Sequence, residues 1–451
     1  MVSVFYFILT ISILVFIHEL GHFLAARICK MRTDVFAIGF GKRLFGWNRI
    51  NGFSLGDLPK DIEMEGHTDY RIAMLPLGGY VKIAGMVDES FDTSFAEKEP
   101  KPYEFRAKPT YQKLFVITAG VMMNLLLTVV IFSGINFFQG KEILKTTTVG
   151  QITVESFAYN SGFRSGDKII SINNNEISDW EAVYTNLLLS KDESVKKIDV
   201  VRDGQKVSLS IPQDSLNKAA QESFFLPIGE ISPIITDVIK ESPAEKANIK
   251  KNDLIVAIGG REMKTSSEVI DIISSNEDVE LSMIVLRDND TVLTAVTPSI
   301  DGRIGIGLRN AYIGASEYRS YNLPSSFSQG ISDVINYTEL TYVFIERVIS
   351  GKLEVGQAFG GPIKIAKMSK ESADMGLVAY LRFLALLSLS LAILNILPFP
   401  VLDGGHFIII LIEGIMRREI PIKVKMAIQN AGFILLLILM AFIVYNDIIN
   451  L

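Results

Sequence analysis

Cysteine is almost missing from this sequence: Cys29 is the only one among 451 residues. No intrachain disulfide can form, and a zinc site built on thiolates is excluded. Charge is scarce as well, at 21% of residues, and the net value of −6 leaves no basic face to draw phosphates, which argues against nucleic acid as a partner. Histidine is thin too, with four in the whole chain. Apolar residues are abundant: 49% of the chain is hydrophobic and the mean hydropathy is +0.31. That is too apolar for an ordinary soluble protein and too charged for one lying wholly in a bilayer, so a mixed protein is expected.

Crossing a ~30 Å hydrocarbon core takes ~20 helical residues. Four runs reach that length, and they place transmembrane helices at 1–28, 114–139, 376–398 and 426–446. The first run has no basic start and no small-residue cleavage site, and Arg27, Lys30 and Arg32 follow it, so it reads as a retained helix and not a signal peptide. Basic residues near helix ends set orientation. Arg27, Lys30, Arg32, Lys42 and Arg43, then Lys108 and Lys113, and finally Arg417, Arg418, Lys423 and Lys425 all belong inside. Segments 29–113 and 399–425 are then cytoplasmic loops, and both termini and 140–375 face outwards. Residues 331–349 are apolar enough to suggest a fifth span, but Asp333, Glu339, Glu346 and Arg347 interrupt them at spacings that suit a polar face. An amphipathic helix on the outer surface, within a stretch 320–372 of helix and linker, is expected there.

The outer segment repeats itself. "VESFAYNSGFRSGDKIISINNNEI", from Val154, matches "VIKESPAEKANIKKNDLIVAIGGREM", from Val238, and "VVRDGQKVSL" matches "IVLRDNDTVL" near the ends. A unit this long, present twice, is one domain duplicated and not a solenoid. The domains are expected at 145–222 and 223–308.

The first run carries "FIHELGH", an ionisable cluster where hydrocarbon makes such groups expensive. His18 and His22 are four apart, so a helix sets both imidazoles on one face, able to grip one metal ion. Glu19 can act on a water at that metal without being a ligand. A third ligand is expected on another helix at similar depth. The third run ends in "LNILPFPVLDGGH", where Pro398 and Pro400 break the helix and Asn395, Asp403 and His406 are polar. Irregular backbone at this depth is tolerated only where it lines a cavity, and Asp403 then has the freedom to turn towards the histidines. His406 reads as support beside the metal and not as a fourth ligand, since a catalytic zinc normally keeps one position open. The fourth histidine, His67, reads as a solvated loop residue.

HELGH in the first span, LDGG after a Pro-x-Pro break in the third, "MLPLGGYVKIAG" (residues 74–85) and "GGPIKIA" (residues 360–366) together resemble the site-2 protease family. They are most like its bacterial regulator of sigma-E protease branch. The repeated pattern of small helix, Gly-Asp, apolar strand and Asn/Gly turn resembles PDZ domains. One departure is "TAGVMMN", with Val121 where the family has proline; Asn124 is retained. The resemblance implies a multi-pass membrane protein in which four transmembrane helices carry a metalloprotease core and two α+β PDZ-like domains are inserted between helices 2 and 3. It implies a bacterial inner membrane, with the PDZ-like domains and both termini periplasmic.

As to chemistry, it implies a zinc-dependent (Zn2+) intramembrane endopeptidase, with His18, His22 and Asp403 as ligands and Glu19 as general acid/base. Its substrates would be single-span membrane proteins in the lipid bilayer: an anti-sigma factor already cut outside, and remnant signal peptides. Asn395 would help to hold the substrate backbone. "AMLPLGGYVKI" reads as a hairpin, a turn at Gly78–Gly79 followed by a strand from Tyr80 to Ile83, whose edge can accept an unwound substrate by β-addition. Two other readings stay open: a membrane-anchored PDZ adaptor with a structural or vestigial metal site, and a metal transporter. An adaptor would not notice loss of Glu19, and a transporter would carry polar residues along more than two helices.

Overall fold

The computed structural model describes residues 2–59, 64, 66–86, 99–150, 152, 156–184, 186–187, 195–212, 231–287, 290–312, 316–350 and 360–449. The chain divides into two compact units: Met1–Gly140 with Ser320–Leu451, and Lys141–Arg319.

In the first unit, four helices among the described residues are long and apolar enough to cross a membrane: Val2–Ile28, Thr110–Phe138, Leu377–Ile396 and Ile422–Ile449. These are called the first to fourth spans below. Between helices in lipid there is no hydrophobic drive, so close backbone approach through small residues supplies the attraction. The first and second spans meet in this way. Gly21 lies so close to the Ala119 carbonyl that no Cβ would fit, and Ala25 and Ala26 are buried nearby.

The described part of segment 29–113 folds as a three-stranded sheet and not as a hairpin. Strands β1 (Thr33–Asn48), β2 (Gly52–Leu55) and β3 (Asp69–Ile83) run in the order β2-β1-β3. Both long strands bend, so Phe36 faces Val81 on one side and Tyr70 on the other, and Ile38 faces Gly79 and Ile72. This leaves Gly79–Ile83 at one end of the sheet and β2 at the other. Buried Arg43 and Asp69 hold the bend, with Arg43 Nε 3.2 Å from the carboxylate and Arg43 Nη1 on the carbonyls of Ser54 and Gly56. A buried guanidinium needs such partners to offset lost hydration.

Gly78–Gly79 is not a turn but lies inside β3. A Cβ on Gly79 would stand 2.7 Å from Val15 Cγ1 and 3.3 Å from Glu19 Cγ. This glycine serves close approach of the strand to the first span.

Two other loop readings are corrected. Within 399–425, residues Asp403–Met416 form a helix. Gly404 and Gly405 occupy its first turn because the chain folds back tightly: a Cβ on either would collide with the carbonyl of Leu397 or Phe399. Val401, in that reversal, has φ 80, a strained conformation for a β-branched residue, costing ~1–3 kcal/mol. Within 320–372, helix Leu323–Ile349 is followed by a second helix, Pro362–Asp374, where a linker was expected. Asp333, whose spacing suggests a polar face, is buried, because Asn136 of the second span donates to its Oδ2 at 2.8 Å and Gln329 to its Oδ1 at 3.0 Å.

The second unit is built twice over from one pattern. In the first copy, helix Phe157–Asn160 precedes β5 (Lys168–Ile172), β6 (Asn175–Glu176), β7 (Lys196–Arg202) and β8 (Gln205–Ile211). In the second, helix Pro243–Lys246 precedes β10 (Leu254–Ile258), β11 (Arg261–Glu262), β12 (Leu281–Arg287) and β13 (Asp290–Val296). Strands β9 (Ile231–Val238) and β14 (Ile306–Tyr312) extend the second sheet to β13-β12-β10-β9-β14.

Each copy has its own apolar core and the same polar clasp. Arg202 donates to fully buried Asp167 at 2.7 Å, as Arg287 does to fully buried Asp253 at 2.7 and 2.6 Å. Gly166 and Asn252 precede these aspartates with φ 89 and 70. Asn is the residue besides Gly that visits this left-handed region at low cost, which accounts for the exchange. Outside the repeats, β4 (Lys141–Leu144) pairs with β15 (Ser316–Arg319), joining the two ends of the unit.

Candidate metal centre

His18 and His22 lie on one face of the first span. At ~1.5 Å per residue His18 is roughly 15 Å from the helix end at Ile28, well inside the apolar span. Asp403 opens the helix that follows the Pro-x-Pro reversal and reaches the same point. Its Oδ2 stands 3.2 Å from His18 Nε2 and 3.5 Å from His22 Nε2, and the two Nε2 atoms are 3.2 Å apart.

The fit of a metal ion can be judged from these atoms. Donors ~2.0–2.2 Å from one zinc ion at tetrahedral angles stand ~3.3–3.6 Å from each other, close to what is seen. Asp403 Oδ2 is buried and makes no hydrogen bond. Two bare imidazole nitrogens and a carboxylate oxygen facing one point repel one another unless a cation or a proton sits among them. Among the described residues this is the one group of three or more such donors. Nitrogen and oxygen donors in a three-ligand set fit a catalytic zinc with a position to spare.

Peptidase family M50 matches residues 6–439 of this chain. The chain belongs to peptidase family M50. Similar proteins agree. The regulator of sigma E protease of Haemophilus influenzae is 31% identical over 464 residues, covering 99% of this chain and 98% of that protein. A Neisseria meningitidis serogroup A protein named as a zinc metalloprotease is 30% identical over 463 residues, covering 99% and 98%. The regulator of sigma-E protease RseP of Escherichia coli K12 is 29% identical over 461 residues, covering 98% and 97%. With a donor set of this kind at its centre, this member of the family is a membrane metalloprotease, and zinc is the metal its donors fit.

The second span contributes to the centre without any titratable side chain. His22 Nδ1 is 2.8 Å from the Val116 carbonyl, and Asn124 Nδ2 is 3.2 Å from His18 Nδ1. Gly120 lies between them, and a Cβ there would stand 2.5 Å from His22 Nε2 and 2.8 Å from His18 Nε2. Val116 and Gly120 escaped the sequence reading, and Asn124 entered it only as a retained residue of "TAGVMMN", without a role.

Of the other expected site residues, Glu19 is buried one position along from His18 and packs beside Gly79. Tyr80, half-buried, stacks on Phe40 with ring centroids 6.2 Å apart. His406 lies one turn beyond Asp403 and contacts Gln429 of the fourth span at 3.2 Å between Nε2 atoms, outside the donor cluster. Asn395 is half-buried in the last turn of the third span, and none of the described hydrogen bonds links it to the three donors. His67 is half-buried in its loop and takes no part in the cluster.

Proposed function

We propose that this metalloprotease cuts single-span membrane proteins within or near the bilayer, with His18, His22 and Asp403 as zinc ligands and Glu19 as general acid/base. The observation that carries this reading is the convergence of three metal donors, from two separate helices, well inside a bundle of apolar spans. Bound there, zinc would supply a Lewis acid that acidifies water and offsets negative charge developing at the substrate carbonyl. Glu19 takes the proton from the attacking water and returns it to the leaving amine. Its carboxylate is held by the helix that carries both histidines, so it keeps a fixed relation to them through both transfers.

A helical substrate hides its peptide bonds and must be opened into a strand. Gly78, Gly79 and Tyr80 belong to the end of the sheet that packs against Glu19, and this end receives the opened substrate by strand addition. Asn395 steadies its backbone, and His406 supports Asp403 from the next turn.

The two repeats are PDZ-like domains inserted between the second and third spans, on the periplasmic side with both termini. They screen substrates by the size of their outer part. Relatives named as regulators of sigma E make an anti-sigma factor, trimmed beforehand by another protease, the first substrate to test; leftover signal peptides come next. The deciding experiment is to purify the full chain, measure its zinc, and assay cleavage of a model single-span peptide with and without a chelator. Zinc near one per chain with chelator-sensitive cleavage supports the reading, whereas zinc-free protein that still cuts would overturn it.

A further inference from the structure

The amide of Asn124 is fully buried beside His18, and its Oδ1 has no hydrogen-bond partner. Its backbone is pinned, because Ser388 of the third span and Thr128 both donate to the Asn124 carbonyl at 2.9 Å. The side chain therefore has one main freedom, a half-turn of the amide that exchanges oxygen for nitrogen. The two orientations are nearly alike in shape, so hydrogen-bond logic chooses between them. The half-turn only moves the unmatched atom from oxygen to nitrogen. The imidazole decides.

His22 sets the pattern. Its Nδ1 faces the Val116 carbonyl at 2.8 Å, a pure acceptor, so Nδ1 carries a proton and the neutral ring offers a bare Nε2 to a cation beside Asp403. For His18 to offer its own Nε2 to the same cation, its proton must also sit on Nδ1. Nδ1 then needs an acceptor, and the group 3.2 Å away is the Asn124 amide. With the amide nitrogen towards His18, the reverse holds: Nδ1 must be bare, and the proton on Nε2 would point into the donor cluster.

We propose that Asn124 is a positioning residue for His18, turning its amide oxygen to Nδ1 when the metal binds and so locking the tautomer whose Nε2 is the ligand. With the amide turned the other way it serves the metal-free tautomer, which is why an amide suits this place better than a carboxylate. This rests on the metal reading of His18, His22 and Asp403. Groups that orient ligand histidines are worth ~10–100-fold in metal affinity.

The test is zinc affinity by chelator competition on the full-length detergent-solubilised chain at pH 8, with thermal melting of the metal-free form beside it. Asn124→Leu, similar in size and without polar atoms, should bind zinc ~10–100-fold more weakly while the metal-free protein melts as the parent does. Asn124→Asp, whose carboxylate accepts from Nδ1–H, should bind zinc at least as tightly as the parent. Zinc affinity unchanged in the Leu variant would overturn the proposal, as would an Asp variant as weak as Leu, which would mark the amide as a donor. Should the Leu variant fail to fold, the Asp variant alone decides between the two. A parent chain that binds no zinc would instead sink the metal reading itself.

Discussion

A Cβ on Gly120 of the second span would stand 2.5 Å from Nε2 of His22 on the first. The imidazoles thus occupy space that exists only because the second span passes this point with no side chain. Gly120→Ala should remove zinc and cleavage together without touching a ligand. Alanine is the better helix former by roughly 0.5–1 kcal/mol, so loss of the helix is not the expected cause. Zinc content and circular dichroism on the variant check both halves; retained zinc would mean that the histidines have room to shift.

Glu19→Gln should keep zinc and lose cleavage by ~10²–10⁴-fold, the usual scale for removing a general acid/base. The two side chains have nearly the same shape, so packing beside Gly79 is preserved. Metal analysis and a cleavage assay on one preparation read both outcomes. Activity near the parent level would take the proton-transfer role away from Glu19, and lost zinc would make it a ligand.

Asp403→Ala should weaken zinc binding and abolish cleavage, because two histidines alone make a poor zinc site. His406→Ala should do less of both, since its Nε2 meets Gln429 rather than the donor cluster. If the two variants exchange behaviours, the ligand set is wrong.

The donors His18, His22 and Asp403, with Glu19 beside them, were legible in the sequence because they are ionisable groups in or beside apolar runs, where such residues stand out. Gly120 and Val116 were not, since a backbone carbonyl and an absent side chain leave no chemical signature, and Asn124 was noted as retained but given no role, because one amide in an apolar helix reads equally well as packing. Gly78–Gly79 misled for a related reason: a glycine pair marks a turn or a close approach, and only the neighbouring first span shows that Gly79 serves the second. The helix Asp403–Met416 was hidden by its own Gly404–Gly405, which look like breakers but are needed where the chain folds back on the first turn. The repeat, by contrast, was plain, because Asp167 with Arg202 and Asp253 with Arg287 recur at nearly equal spacing around the same strands.

The screening role proposed for the repeats makes a graded prediction. One membrane segment carrying outer domains of increasing size should be cut by the intact chain only when that domain is small. A variant lacking residues 145–308 should cut the larger ones as well, with zinc content unchanged, since no histidine lies in the deleted segment. Equal refusal of large substrates by both proteins would favour a binding or activating role for these domains.

Asp447, near the end of the fourth span, caps a helix that is remote in sequence. Its carboxylate accepts from the backbone N–H groups of Gly361 at 3.0 Å, Ile363 at 3.1 Å and Lys364 at 3.2 Å, at the start of helix Pro362–Asp374. Gly361 is needed there, because a Cβ would lie 2.5 Å from Asp447 Oδ2, and this gives a physical reason for the second glycine of "GGPIKIA". The capped helix in turn carries Ser369, fully buried and 2.8 Å from Thr10 of the first span, which also meets Tyr380 of the third at 2.9 Å. One carboxylate thus ties the fourth span to a helix that is bonded to the first. Asp447→Ala leaves buried donors unmatched, at ~1–3 kcal/mol for such a group, and removes the negative charge that a helix N-terminus favours. Asp447→Asn keeps an acceptor and should fall between the parent and the Ala variant. Thermal unfolding in detergent should rank the three in that order, while zinc per folded chain stays constant because no donor of the metal centre is touched. An Ala variant as stable as the parent would show that water or a neighbouring group satisfies these N–H groups equally well, and the cap would then carry no stability.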